Sequence, residues 1–453
     1  MSSVLHNRLV RHSVLGKYPL FLGLGGGLTI LGLILFIGAL ASGEGDRAWQ
    51  LFHVNWIYFT GLSAGSIAFV AVLKITNAKW AGMISRFAGA SSAFLPVSFV
   101  ALLLIFTVGY KSIYGPMNAE LEGMQHSKAL WLSHGFMFAR LAIGLLVMIY
   151  AGWRLIKADL VPDMFDARDA VTGARRQLFD RWSREYDGSE QSAQEQYGKI
   201  RHYAPIFAVI YAIVMTMVAF DGMMALQPHW FSNLFGAWYF MGSYLGAHML
   251  LALMMMYGSS HLGVNDLVSP KQRHDLGKLC FGFTVFWTYL MWAQFLVIWY
   301  GNMPEETGFV FSRLWGRWLP IGWAVGLGMF IIPFFGLLGV APKKVKPVFG
   351  FFATISLVAL WLERYLLVMP SVTALPGPYI GSPEIGPTLL FLGLYLLAYA
   401  LFARTFPMIA PRLGEITLSR ERSHAVVEAE YEHETPPQDY VAPELVERRE
   451  KPR

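Results

Sequence analysis

The chain has 453 residues, 55% of them apolar against a soluble norm of about 45–50%, and only 15% charged against about 25%. That balance excludes an ordinary soluble protein, because the apolar residues gather into runs of ~20 or more, each able to cross a ~30 Å hydrocarbon core as a helix. The net charge of +6 does not indicate nucleic acid, since most Lys and Arg flank the apolar runs, where membrane topology places them.

In chain order the runs predict ten helices, at 18–42, 50–75, 82–110, 129–156, 203–226, 231–258, 276–301, 317–341, 347–370 and 384–406. The fold class is therefore all-α integral membrane, with about ten transmembrane helices. Residues 1–17 form a cytoplasmic N-terminus. The first helix, within 18–49, has no small-residue cleavage signature after a short apolar core and reads as a retained span. Residues 157–202 balance acidic and basic groups around Phe165, Leu178, Phe179 and Trp182, the pattern of an amphipathic surface helix or a docking loop. The tail, 407–453, alternates Glu and Arg with Pro436, Pro437, Pro443 and Pro452, and its low apolar content predicts disorder over most of its length.

Orientation follows from the short connections. Sixteen Lys and Arg fall on the side of the termini, at connections such as Lys74, Lys79 and Arg86 or Lys343, Lys344 and Lys346; five fall opposite, at Arg47, Lys111, Lys128, Arg313 and Arg317. Both termini are thus expected in the cytoplasm, as an even number of spans also requires.

An internal echo divides the chain further. Tyr58-Phe59-Thr60-Gly61 to Gly65 and Tyr239-Phe240-Met241-Gly242 to Gly246 are both YFxGxxxG, four helices apart. The repeat predicts two four-helix bundles, 50–226 and 231–370, with the first helix and the last, 384–406, peripheral. Coincidence between two small-residue packing faces is the competing explanation.

Ionisable groups at mid-bilayer cost at least ~2.5–3.5 kcal/mol each, so they need partners or a purpose. Counting ~1.5 Å per residue from each helix start, His53, His134, Asp221, Glu363 and Arg364 fall in the outer half, Arg140 near the middle, and His248 and Arg86 in the inner half. Glu305 and Glu306 follow the outer end of the seventh helix. The outward skew fits a proton half-channel; it equally fits buried ion pairs among Asp221, Glu363, Arg140 and Arg364. Three membrane histidines at unlike depths do not make the two axial pairs that two haems would need, and no His/Cys/carboxylate cluster has metal-ligand spacing. Cys280, the single cysteine, can form neither an intrachain disulfide nor a four-thiolate cluster, and reads as a small buried hydrophobe. Gly23, Gly25, Gly26 and Gly27 form no phosphate loop and read as a helix-packing face.

Two stretches are distinctive: 226–236, Leu-Gln-Pro-His-Trp-Phe-Ser-Asn-Leu-Phe-Gly, and 292–306, Trp-Ala-Gln-Phe-Leu-Val-Ile-Trp-Tyr-Gly-Asn-Met-Pro-Glu-Glu. With Asn55-Trp56 and Ala78-Lys79-Trp80, they resemble the ActF family, the NrfD-like membrane subunits of bacterial Alternative Complex III, over the whole membrane part but not the tail. Gln227 stands where that family's signature has Asp. The resemblance implies a multi-pass subunit of the bacterial inner membrane within a quinol:cytochrome c, or other acceptor, oxidoreductase. It implies a second NrfD-like subunit, an iron–sulfur subunit, haem c subunits and a terminal oxidase as partners, with the haem c and iron–sulfur clusters in those partners. This chain would bind no cofactor of its own beyond quinol, and would not be catalytic alone. On this reading Asp221, Glu305, Glu306, Glu363, His134, Arg140, Arg364 and His248 form a proton path or its electrostatic support, with Asp221 and Glu363 the expected carriers. A quinone head would rest against His134 and Asp221. A secondary transporter and a purely structural anchor are the alternatives.

Overall fold

The structure, a computed structural model, describes residues 3–121, 123–373, 375, 377–414 and 416, without the side chains of 3–5 and 83. Among these residues ten helices are long and apolar enough to cross a membrane: Pro19–Ala41, Gly45–Ile75, Ser85–Leu121, His134–Ala170, Glu190–Leu226, Phe235–His261, Pro270–Gly301, Gly316–Leu338, Lys346–Val372 and Ser382–Thr405. They are numbered here as spans one to ten. The protein is all-α, and its described residues contain no strand.

Span packing follows the small residues. Spans two and six are the most enclosed and cross at their YFxGxxxG segments. A Cβ on Gly65 would meet the Ser243 carbonyl oxygen at 2.7 Å, and one on Gly246 would meet Leu360 and Leu62 at 2.5 and 2.8 Å. The glycines thus let two backbones approach more closely than any larger residue permits. Around this crossing, spans two, three, four and five contact one another in a closed ring, as do spans six, seven, eight and nine. Spans one and ten pair with each other, and span ten lies along span two. Their seam is equally tight, since a Cβ on Gly393 would meet the Thr29 backbone nitrogen at 2.4 Å. Of the glycines at the start of span one, only Gly25 packs this way; Gly23, Gly26 and Gly27 face open space.

Several boundaries differ from the sequence reading. Span four begins at His134, after the separate short helix His126–Trp131, so Arg140 is six residues into its span rather than near mid-depth. Spans four and five run far into 157–202, leaving only 171–189 between them, where the helix Gly173–Trp182 buries Phe179. On span four hydropathy hides the extension because its buried face is charged: Arg86 bonds both Asp159 and Asp163, and Lys74 pairs with Asp159. The two ends of the described chain meet on one side, where the Met408 amide donates to the Ser13 carbonyl at 2.9 Å. The start of the tail is packed: Met408, Ile409 and Ala410 are buried and Arg412 bonds Asp166 and the Tyr186 hydroxyl. The disorder expected beyond it, over 417–453, falls outside the described residues.

Candidate functional site: an aromatic cavity in the second ring

Opposite the chain ends, two clusters of buried ionisable residues have unlike surroundings, beside the Arg47 pairs with Glu44 and Glu384 at the starts of spans two and ten. In the first ring Asp221, one residue before the end of its helix, accepts two bonds from Arg140, 2.8 Å from Nε and 2.6 Å from Nη2. Arg140 also donates to the Trp131 carbonyl at 3.1 Å and lies over the Trp131 ring. Tyr114 donates to the Asp221 carbonyl at 3.1 Å, and His53 bonds the Gly222 carbonyl at 2.7 Å. Each acceptor of the Asp221 side chain is thereby engaged, so this is a closed ion pair joining spans four and five. His134 is not part of it. Its Nε2 bonds the Phe106 carbonyl at 2.9 Å, within a five-residue π turn of span three, Ile105–Gly109. His134 and Asp221 thus bond different partners, while the Tyr110 ring packs on both His134 and Tyr114, whose hydroxyl reaches the Asp221 carbonyl.

The second cluster is open. Glu363 and Arg364 are neighbours on span nine, both 1% exposed, with Oε2 and Nη1 2.9 Å apart. Arg364 turns toward span six, donating to the Tyr239 carbonyl at 3.2 Å and lying over the Tyr239 ring. Glu363 turns toward a cavity of about 430 Å³, and neither of its oxygens receives a well-aligned hydrogen bond. Spans six, seven, eight and nine and the helix Pro304–Leu314 enclose the space. Its walls are Trp230, Phe235, Trp238, Trp287, Phe295, Phe309 and Trp323 with aliphatic residues between them. Trp230 stacks flat on Phe309, ring centroids 3.6 Å apart, while the Trp230 and Trp238 indole N–H groups have no acceptor among the described residues.

Arg313 closes the rim. It is buried over the Phe309 ring and donates only to neutral acceptors: the Phe309 and Leu367 carbonyls at 3.0 and 2.7 Å, the Ser312 and Ser371 hydroxyls at 3.0 and 2.6 Å, and the Gln227 amide oxygen at 3.4 Å. Burial without a carboxylate pulls its guanidinium below the ordinary value, but arginine starts high enough to stay charged near neutrality. Position 227, where the resembled signature carries Asp, thus touches a buried cation with a neutral amide.

The remaining expected site residues stand apart. Glu305 and Glu306 occupy the first turn of Pro304–Leu314, where acidic groups complement the helix dipole, at the end away from the cavity. His248 is fully buried among Phe69, Tyr244 and Phe283, bonds its own helix at the Tyr244 carbonyl, and has no acidic neighbour in contact. The sequence reading missed Arg313, Trp238 and Trp287 as residues that line one cavity with Glu363, and Gln227 as a partner of Arg313. The signal available was the crowding of Trp and Arg on both sides of 304–315, which reads as an interfacial belt until the short helix folds inward.

No family model matches the chain. It is 23% identical over 420 residues to a selenate reductase subunit of Mesobacillus selenatarsenatis, an alignment that covers 84% of this chain and 93% of that protein. With ten membrane-length helices and a cavity that combines flat aromatic walls, a buried carboxyl group and unpaired donors, the chain is a multi-pass membrane protein similar to a subunit of a multi-subunit reductase.

Proposed function

We propose that this chain is the quinone-facing membrane subunit of a quinol:electron-acceptor oxidoreductase of the Alternative Complex III kind, and that the aromatic cavity of the second ring takes the quinone head. The observation that carries the reading is Glu363: a buried carboxyl group without aligned donors, facing a flat-walled cavity large enough for a ring. Apolar, mostly preformed pockets with a few convergent polar groups are what small ligands occupy. The relative's name supports membership of a redox complex.

Quinol oxidation releases two protons and two electrons. The electrons pass to iron–sulfur and haem c centres in partner subunits, as the resemblance to Alternative Complex III implies. Glu363 accepts a proton from the quinol hydroxyl, and the Trp230 and Trp238 N–H groups and Arg313 hold the ring oxygens. Arg364, whose own charge does not change, is the counter-ion of the ionised carboxylate before it takes the proton. Glu305 and Glu306 sit at the solvent end of the helix whose other end carries Arg313 to the cavity, which makes them the receiving groups for released protons. Arg140 and Asp221 brace the first ring on this reading, and His134 and His248 lie off the path.

The test is purification of the tagged chain from its native membrane in mild detergent, with protein identification, haem spectroscopy and a quinol oxidation assay. Co-purifying iron–sulfur and haem c subunits with quinol-dependent turnover are expected. Glu363→Gln should lower turnover by about 10²-fold, the usual scale of a lost proton-transfer group, in a complex that still assembles. A lone, colourless chain, or full turnover in the variant, overturns the proposal.

A further inference from the structure

A second cavity, of about 310 Å³, lies on the side of the chain ends between spans four and five and the helix Gly173–Trp182. Unlike the aromatic one, it is polar and cationic. Arg154, Lys157, Arg181, Arg184 and Lys199 line it against a single acid, Glu185. Lys199 pairs with Glu185 at 3.6 Å. None of the other four forms an ion pair among the described residues, whereas Arg176 on the same short helix pairs with both Asp169 and Asp180. Four uncompensated cations around one cavity repel each other, an arrangement that an anion relieves.

The neighbours fix what kind of anion. Lys157 lies over the Trp153 and Trp182 rings at 5.3 and 5.1 Å, and Arg154 lies over Tyr203 and donates to the Tyr150 hydroxyl at 2.9 Å. Amphipathic aromatic rings of this kind collect at the headgroup level of a bilayer. From that level an exposed apolar strip runs along the same two spans toward mid-membrane, Leu146 and Val147 on span four and Val209 and Ile213 on span five. A cationic recess at headgroup depth, continuous with two apolar tracks, has the shape of a phospholipid.

We propose that the cavity between spans four and five binds the phosphate headgroup of an anionic phospholipid, with its acyl chains along the Leu146/Val147 and Val209/Ile213 strip. The excess of four cations suits a headgroup with two phosphates better than one, because each phosphodiester brings a single negative charge. Basic pockets between membrane helices are the usual receptors for such headgroups. The site is independent of the quinone cavity, and neither proposal needs the other.

The test uses the full chain in its complex, reconstituted in nanodiscs of zwitterionic lipid with a small fraction of diphosphatidyl lipid, and counts retained lipids by native mass spectrometry after detergent extraction. The wild-type protein should retain the anionic lipid in preference to the zwitterionic one, and the triple variant Lys157→Gln, Arg181→Gln, Arg184→Gln should lose about tenfold or more of that retention. Arg176→Gln and the charge-keeping Lys157→Arg should retain it. If the triple variant does not accumulate, a salt titration of the wild-type protein decides: release of the lipid as ionic strength rises supports the site, and salt-insensitive retention overturns it. Displacement of the lipid by millimolar inorganic phosphate would assign the cavity to a soluble phosphate and overturn the lipid reading, as would equal retention by wild-type and triple variant.

Discussion

At the residue scale, two buried carboxylates that look alike in the sequence have unlike surroundings. Asp221 is engaged by two Arg140 nitrogens, and removing one partner of a buried pair leaves an uncompensated charge at a cost of about 3–5 kcal/mol. Asp221→Asn should therefore lower the unfolding temperature of the purified protein markedly, and the double variant Asp221→Asn, Arg140→Gln should recover part of the loss; equal stability of the single variant and wild type would remove the bracing role. Glu363 faces a cavity instead, so its substitution should register in turnover more than in stability. The presence of Asp221, Arg140, Glu363 and Arg364 inside apolar runs was plain in the sequence, but their pairing was not. Asp221 and Arg140 are 81 residues apart, and only the packing of span four on span five brings them together.

At the scale of elements, glycine position matters more than glycine count. Gly65→Ala would push a methyl group into the Ser243 backbone, which cannot move aside as a side chain can, and overpacking of that kind costs about 1–3 kcal/mol. Gly26→Ala meets nothing within 4 Å and should be neutral or slightly stabilising. Thermal unfolding in detergent checks the pair, and equal effects would sink the account of the crossing. The YFxGxxxG echo was legible as a repeat, yet a periodicity says nothing about which glycines face a neighbour. Gly23, Gly26 and Gly27 share their span with Gly25 and make no contact there. The extension of span four was illegible for the opposite reason, since Asp159 and Asp163 look like loop residues until Arg86 and Lys74 are seen to neutralise them.

At the scale of the whole molecule, the ten spans put the two ends of the described chain on one side and the Pro304–Leu314 helix on the other. Cysteine labelling in intact membrane vesicles tests this arrangement with little background, because Cys280 is fully buried. Gln191→Cys, exposed at the start of span five, and Met303→Cys, exposed beyond span seven, should react with an impermeant maleimide from opposite sides; labelling from one side would overturn the topology. The Lys and Arg asymmetry further predicts that Gln191→Cys reacts from the cytoplasmic face.

Composition and hydropathy alone fix the solvent, the helical class and the number of spans, because a bilayer leaves an apolar run of sufficient length few ways to satisfy its backbone other than as a helix. Which polar groups meet is a matter of tertiary packing. Side chains from spans six to nine and an inward-folded short helix converge on Glu363, while Asp221 and His134, which the resemblance brought forward as a quinone contact, bond to different partners. Burial, hydrogen-bond direction and cavity shape are properties of packing between distant segments, and no local pattern encodes them.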